Sequence, residues 1–188
     1  MKRLLLLVAC LILAACAVRP PLPQQLPPLK LPMTLHVQRE QADQRQDWLL
    51  VIQREDQRLR WSMMDLLGIP QARQLLENGE WQADGLLPPN PAARELFAAL
   101  LFALTPAERL AALYPAAQQQ DNQRWLGERW HVSYRQADDF TLNMQQGLRY
   151  LVTPCPARTL HDRLPQRPGP GLCPWTRSGR SRPPPVRR

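Results

Sequence analysis

Arg58-Leu59-Arg60-Trp61-Ser62-Met63 carries an apolar side chain at every second position and a polar one between. Successive side chains of a strand point to opposite faces of a sheet, so this period predicts a β-strand with one apolar face and one wetted face. The pattern extends outward on both sides. Leu35 and Val37 alternate with His36 and Gln38, and Trp81 and Ala83 alternate with Glu80, Gln82 and Asp84. Between them, Trp48 to Ile52 is a continuous apolar run flanked by Gln46-Asp47 and Gln53-Arg54. Glu55-Asp56, Asn78-Gly79 and Asp84-Gly85 sit where hairpin turns belong. Residues 33 to 87 therefore predict an antiparallel meander.

The period changes at Asn90-Pro91, an N-cap residue followed by a first-turn proline. Leu96, Phe97, Leu100, Leu101 and Leu104 then recur at helical spacing. Thr105-Pro106-Ala107-Glu108 has capping-box spacing and predicts a second helix carrying Leu110, Leu113 and Tyr114, closed by Pro115. After the polar stretch Gln118 to Gln123, strands return. Trp125 is followed by Trp130, Val132 and Tyr134, which alternate with His131, Ser133 and Arg135. Phe140, Leu142 and Met144 come next, and beyond the Gln146-Gly147 turn stand Leu148, Tyr150 and Val152. The order predicts an α+β, mostly β fold over residues 33–153. Its core is a curved antiparallel sheet, an unclosed half-barrel, with a helical insert at about 91–115 lying over the apolar face as a lid.

The flanks read differently. Residues 17 to 32 hold six prolines, Pro20, Pro21, Pro23, Pro27, Pro28 and Pro32. Proline fixes φ and removes a backbone donor, so this segment predicts an extended spacer rather than part of a core. Before it, Lys2 and Arg3 lead into an apolar run from Leu4 to Leu13 interrupted by Cys10, then Ala14, Ala15 and Cys16. That is the order of a signal peptide, and the run is about half the ~20 residues a transmembrane helix needs. Leu13-Ala14-Ala15-Cys16 reads as a lipobox: residues 1–15 are removed, Cys16 is acylated, and 16–32 form a lipidated tether. Several acyl chains on one cysteine hold a protein durably on a bilayer. Ala17, rather than aspartate, after the lipidated cysteine predicts onward sorting to the periplasmic face of the outer membrane.

The formal charge of +8 suggests nucleic acid until it is located. Residues 155 to 188 hold eight Arg against Asp162 alone, whereas residues 17 to 154 hold 14 basic and 15 acidic side chains. The predicted domain is near neutral and lacks the basic face that nucleic-acid binding needs. The tail from 154 to 188, rich in Arg and Pro, has no apolar period with which to build a core. It reads as a disordered basic arm, as a loop closed by a Cys155–Cys173 disulfide in an oxidising periplasm, or as the product of a shifted reading frame.

The lipobox, the Pro-rich lead, the hairpin from Leu59 to Leu76 with Leu66-Leu67-Gly68 at its tip, the mid-chain helices and the closing Gly147-Leu148-Arg149-Tyr150 together resemble a family of outer-membrane lipoproteins. That family is similar in turn to the lipoprotein receptor LolB and its periplasmic partner LolA. The resemblance spans roughly residues 1 to 153. It implies an unclosed β-barrel with a helical lid over an apolar cavity that holds acyl chains, and a LolA-like periplasmic donor. In LolB a leucine on a hairpin loop, in an Asn-Pro-Leu-Gly context, projects outward and aids transfer into the membrane. Asp65-Leu66-Leu67-Gly68 occupies the similar place, which gives that role to Leu67, with Leu66 standing where LolB has proline.

The residues themselves point to hydrophobic cargo. A half-barrel encloses more apolar wall than two short helices cover, and Trp48, Trp61, Trp81, Trp130, Leu142 and Met144 would line it beneath a lid carrying Leu96, Phe97, Leu100, Leu101 and Leu104. Each acyl methylene buried there gains about 0.8 kcal/mol. Leu66 and Leu67 at a loop tip call for a partner or a bilayer. Catalytic motifs for a serine nucleophile, a zinc protease, a P-loop or a redox dithiol are missing from the sequence. His36 and His131 fall on outward strand positions, and Asp138-Asp139 and Glu55-Asp56 do not have the spacing of paired catalytic carboxylates. The expectation is a monomeric, non-enzymatic lipoprotein with no cofactor or metal, whose partners are lipid or lipoprotein acyl chains. The other reading is a structural or assembly lipoprotein that docks a protein through Leu66-Leu67.

Overall fold

The computed structural model describes residues 19–85, 87 and 90–155. The lipobox with Cys16, and the tail from residue 156, lie outside the described residues. Ten strands form one antiparallel, unclosed sheet. The first five are β1 (Met33–Gln41), β2 (Gln44–Glu55), β3 (Arg58–Asp65), β4 (Pro70–Glu77) and β5 (Glu80–Ala83). Helices α1 (Pro91–Leu104) and α2 (Ala107–Leu113) follow, then β6 (Ala117–Gln120), β7 (Gln123–Leu126), β8 (Trp130–Gln136), β9 (Asp139–Met144) and β10 (Arg149–Pro154). Each half of the chain is a meander. The halves join at β1 and β10, where Val37 faces Val152, so β5 and β6 are the two free edges.

That topology explains where the helices go. The chain must cross from one free edge to the other, and the apolar face is the surface it crosses. Strand period then fixes which side chains meet it. Leu59, Trp61 and Met63 of β3 are buried, as are Leu35 and Val37 of β1 and Trp130 and Val132 of β8. The expected alternation holds for these residues, but Gln38, expected on the wetted face, is buried, and Ala83, expected on the apolar face, is exposed. Asn90 caps α1, its Oδ1 accepting from the Ala93 backbone N–H at 3.1 Å, with Pro91 in the first turn.

α1 is more than a cover. Ten of its fourteen residues are buried, Ala93 and every residue from Leu96 to Leu104, so the helix is enclosed on all sides. Phe97 packs on Trp61 at 5.4 Å and on Trp81 at 5.8 Å, while Phe102 packs on Trp130 at 5.7 Å. A helix in contact with β3, β5 and β8 at once requires the sheet to curl round it. α2 is peripheral, with Leu110 its one buried residue.

Three local readings are corrected. Thr105 does not open α2: its hydroxyl donates to the Leu101 carbonyl at 2.7 Å, which makes it part of the end of α1, and α2 has no side-chain cap. The Gln-rich stretch is strand β6, whose polar side chains suit a solvent-facing edge. The Pro-rich lead is not a free spacer from Leu22 onward. Pro23 and Pro27 are buried, and Leu22, Leu26, Leu29 and Leu31 pack against the core. Its prolines set an extended path across the sheet end, and the leucines between them supply the contacts.

Candidate functional site

The two ends of the half-barrel differ in chemistry. At one end lie the β1–β2, β3–β4, β7–β8 and β9–β10 turns, and this is the loop end. At the other, the entry end, the chain enters β1 beside the β4–β5, β6–β7 and β8–β9 turns.

The β3–β4 loop projects from the loop end. Leu67 is 83% exposed, Ile69 53% and Leu66 42%, the large exposed apolar side chains among the described residues. Asp65 explains how they are held out. Its Oδ1 accepts from the backbone N–H of Leu67 and of Ile69, both at 2.9 Å, and its Oδ2 accepts from Gln71 at 3.2 Å. The Asp65 backbone N–H donates to the Ile69 carbonyl, and the Gly68 N–H to the Asp65 carbonyl, both at 3.0 Å. Gly68 turns the chain at φ +83°, a conformation that L side chains disfavour. The backbone N–H groups of Asp65, Leu67, Gly68 and Ile69 are thus bonded within the loop while its apolar side chains face out. That arrangement lowers the cost of leaving water, because these four donors keep their partners on entering an apolar phase.

The six expected cavity-lining residues are distributed as follows. Trp61, Trp130 and Leu142 are fully buried, and the two tryptophan rings pack against α1. Trp81 is partly buried and stacks edge-on against Trp61 at 5.8 Å. Trp48 is partly buried beside Tyr150, their rings 6.4 Å apart. Met144 borders a shallow recess of about 500 Å³ at the loop end, together with Glu40, Arg45 and Leu148. Of the lid residues, Leu96, Phe97, Leu100 and Leu101 are buried in the barrel's interior. The concave face over Trp61 and Trp130 is thus occupied by α1 itself.

Leu104 is the exception. With Leu29, Met33, Pro106 and Ala137 it borders a recess of about 1230 Å³ at the entry end, between the Pro-rich lead, the C-terminus of α1 and the start of α2. Arg124 of β7 lies at its wall. Only 4% exposed, it donates through Nη1 to the carbonyls of Phe102 (3.0 Å), Ala103 (3.3 Å) and Thr105 (2.8 Å), and through Nη2 to Gln119 Oε1 (3.0 Å). Its guanidinium also lies over the rings of Phe102 and Tyr134. Burial pushes the Arg124 pKa down from its ordinary value, against the pull of Tyr134 and Tyr114. Tyr134 donates to the Ala103 carbonyl at 2.7 Å, and its pKa is pushed up to about 12 by burial. Arg124 was not singled out by the sequence, and its signal is slight: it shares the inward phase of β7 with Leu126.

His36 and His131 are partly buried and bonded, His36 Nε2 to Asp47 at 2.9 Å and His131 Nε2 to Gln123 at 3.1 Å. Among the described residues no group of three or more His, Cys, Asp or Glu is placed to hold a metal, and no helix is long and apolar enough to cross a membrane. The chain matches no protein-family model and no curated protein.

Proposed function

We propose that the chain is a lipoprotein held on the periplasmic face of the outer membrane through Cys16, and that it binds and hands on the acyl chains of a lipid or lipoprotein in a LolB-like manner. The observation that carries this reading is the β3–β4 loop, with Leu66, Leu67 and Ile69 exposed and its backbone bonded to Asp65. A loop so built is suited to enter an acyl phase. The cargo space is the entry-end recess rather than the concave face, because α1 fills the latter. At about 1230 Å³ it exceeds the roughly 300–1,000 Å³ of drug-sized sites.

The test is native mass spectrometry of the Cys16→Ser chain, followed by transfer of a labelled lipid to acceptor liposomes. Bound lipid is expected. Leu67→Asp is expected to keep the load and lower transfer about tenfold or more, because an aspartate strongly opposes burial in a bilayer. A chain that neither carries nor takes up lipid removes the reading.

The packing of Trp61, Trp130 and Leu142 around α1 favours a second reading, an assembly lipoprotein with a solid core that docks a protein through Leu66-Leu67. Photocrosslinking from position 67 separates the two. One protein adduct supports docking, and lipid or many lipoprotein adducts support the carrier.

A further inference from the structure

We infer that the entry-end recess takes an acyl chain ending in an anionic oxyacid head, with Arg124 as the partner of that head. This rests on the carrier reading and goes beyond it by naming the cargo's charge. Arg124 is a buried cation on the recess wall with no carboxylate partner among the described residues, whereas half-buried Arg129 and Arg60 pair with Glu95 and Asp84. Its Nη1 holds the C-terminus of α1, its Nη2 gives a single bond, to Gln119 Oε1, and its Nε is buried and bonds to nothing among the described residues. A buried donor without an acceptor is costly, and an oxyanion is the acceptor that a guanidinium binds most strongly. The rest of the wall supplies the acyl part: Leu29, Met33, Leu104 and Pro106 are apolar and adjoin Arg124 around one recess. Lys30 stands exposed at the rim. Glu108, Asp121 and Asp138 also border the recess, Glu108 and Asp121 in open solvent, where water screens their repulsion.

The experiment compares palmitate, monohexadecyl phosphate and hexadecanol, three ligands with the same chain and different heads, on the full Cys16→Ser chain in detergent-free buffer. At least one anionic probe is expected to bind about tenfold or more tightly than hexadecanol, the difference a charged hydrogen bond makes. Whichever anionic probe binds more tightly assigns carboxylate or phosphate. Arg124→Gln is expected to bring all three within about twofold of one another. Because Arg124 also holds α1, Ala137→Trp at the exposed rim is the second check: it is expected to lower binding of every probe, and unchanged binding overturns the inference. Hexadecanol binding as tightly as both anions overturns the inference and leaves the carrier reading standing. No binding by any probe overturns both.

Discussion

Glu95 fastens the N-terminal half of α1 to the far half of the sheet, as Arg124 and Tyr134 do its C-terminus. Its carboxylate takes both Arg129 Nε (2.8 Å) and Nη2 (2.6 Å), and Trp130 Nε1 donates to it at 2.8 Å. Burial works to raise its pKa, but the hydrogen bonds from Arg129 and Trp130 outweigh that and hold it below the ordinary carboxylate value. A carboxylate depressed in the folded state adds stability that is present above its unfolded pKa, about 4.3, and is lost as pH falls through the lower folded value. Urea midpoints measured from pH 6 to pH 3 should therefore fall in the unaltered protein, and Glu95→Gln should flatten part of that fall while lowering the midpoint at pH 6. Equal slopes in the two proteins would mean that Glu95 takes no part in the acid response. None of this was visible in the sequence, because a helix period says which face an acidic residue shares and not which arginine will reach it from 34 positions away.

At the scale of elements, α1 decides how the molecule is read. As a lid it would tolerate truncation of its apolar side chains, but enclosed on all sides it should not. Phe97, fully buried between Trp61 and Trp81, is the sharpest probe. Phe97→Ala should cost about 3–5 kcal/mol, seen as a lowered urea midpoint. A loss below about 1 kcal/mol would return α1 to the role of a cover. The strands are legible because period two marks a face directly: Leu59, Trp61 and Met63 share the apolar phase of β3 and are buried. The helical period locates α1, and its depth is carried by the unbroken apolar run Leu96 to Leu104, since a helix apolar on every side is a buried one rather than a lid. The packed lead was hidden for the opposite reason. Its prolines announce an extended path, while Leu22, Leu26, Leu29 and Leu31 have neither a strand nor a helix period to show that the path lies on the core.

For the molecule as a whole, the Pro-rich lead at Pro23 and the apolar loop are at opposite ends of one hairpin. Pro23 lies against the β4–β5 turn, its carbonyl 3.9 Å from where a Cβ on Gly79 would stand, and Leu67 lies beyond the other end of β4. The eight residues of β4 span about 26 Å at roughly 3.3 Å each. Seven peptide steps from Cys16 to Pro23 reach at most about 25 Å. With Cys16 lipidated, an upright domain would hold Leu67 well away from the anchoring leaflet, and the loop would reach that leaflet only if the hairpin leans over. Reach of this kind acts as an effective concentration, which rises once a linker can span its two sites comfortably. Ten Gly/Ser residues inserted after Ala17 should therefore raise the fraction of loops inserted into the anchoring bilayer. The readout is a polarity-sensitive dye on Leu67→Cys in lipidated protein on liposomes, with Leu67→Cys/Asp65→Ala as a control in which the loop is no longer held out. An increase with the longer tether supports a loop that works on the membrane to which the protein is anchored. An unchanged, water-like signal would assign the loop to a partner in the periplasm instead, because no length of tether would then bring its leucines to lipid.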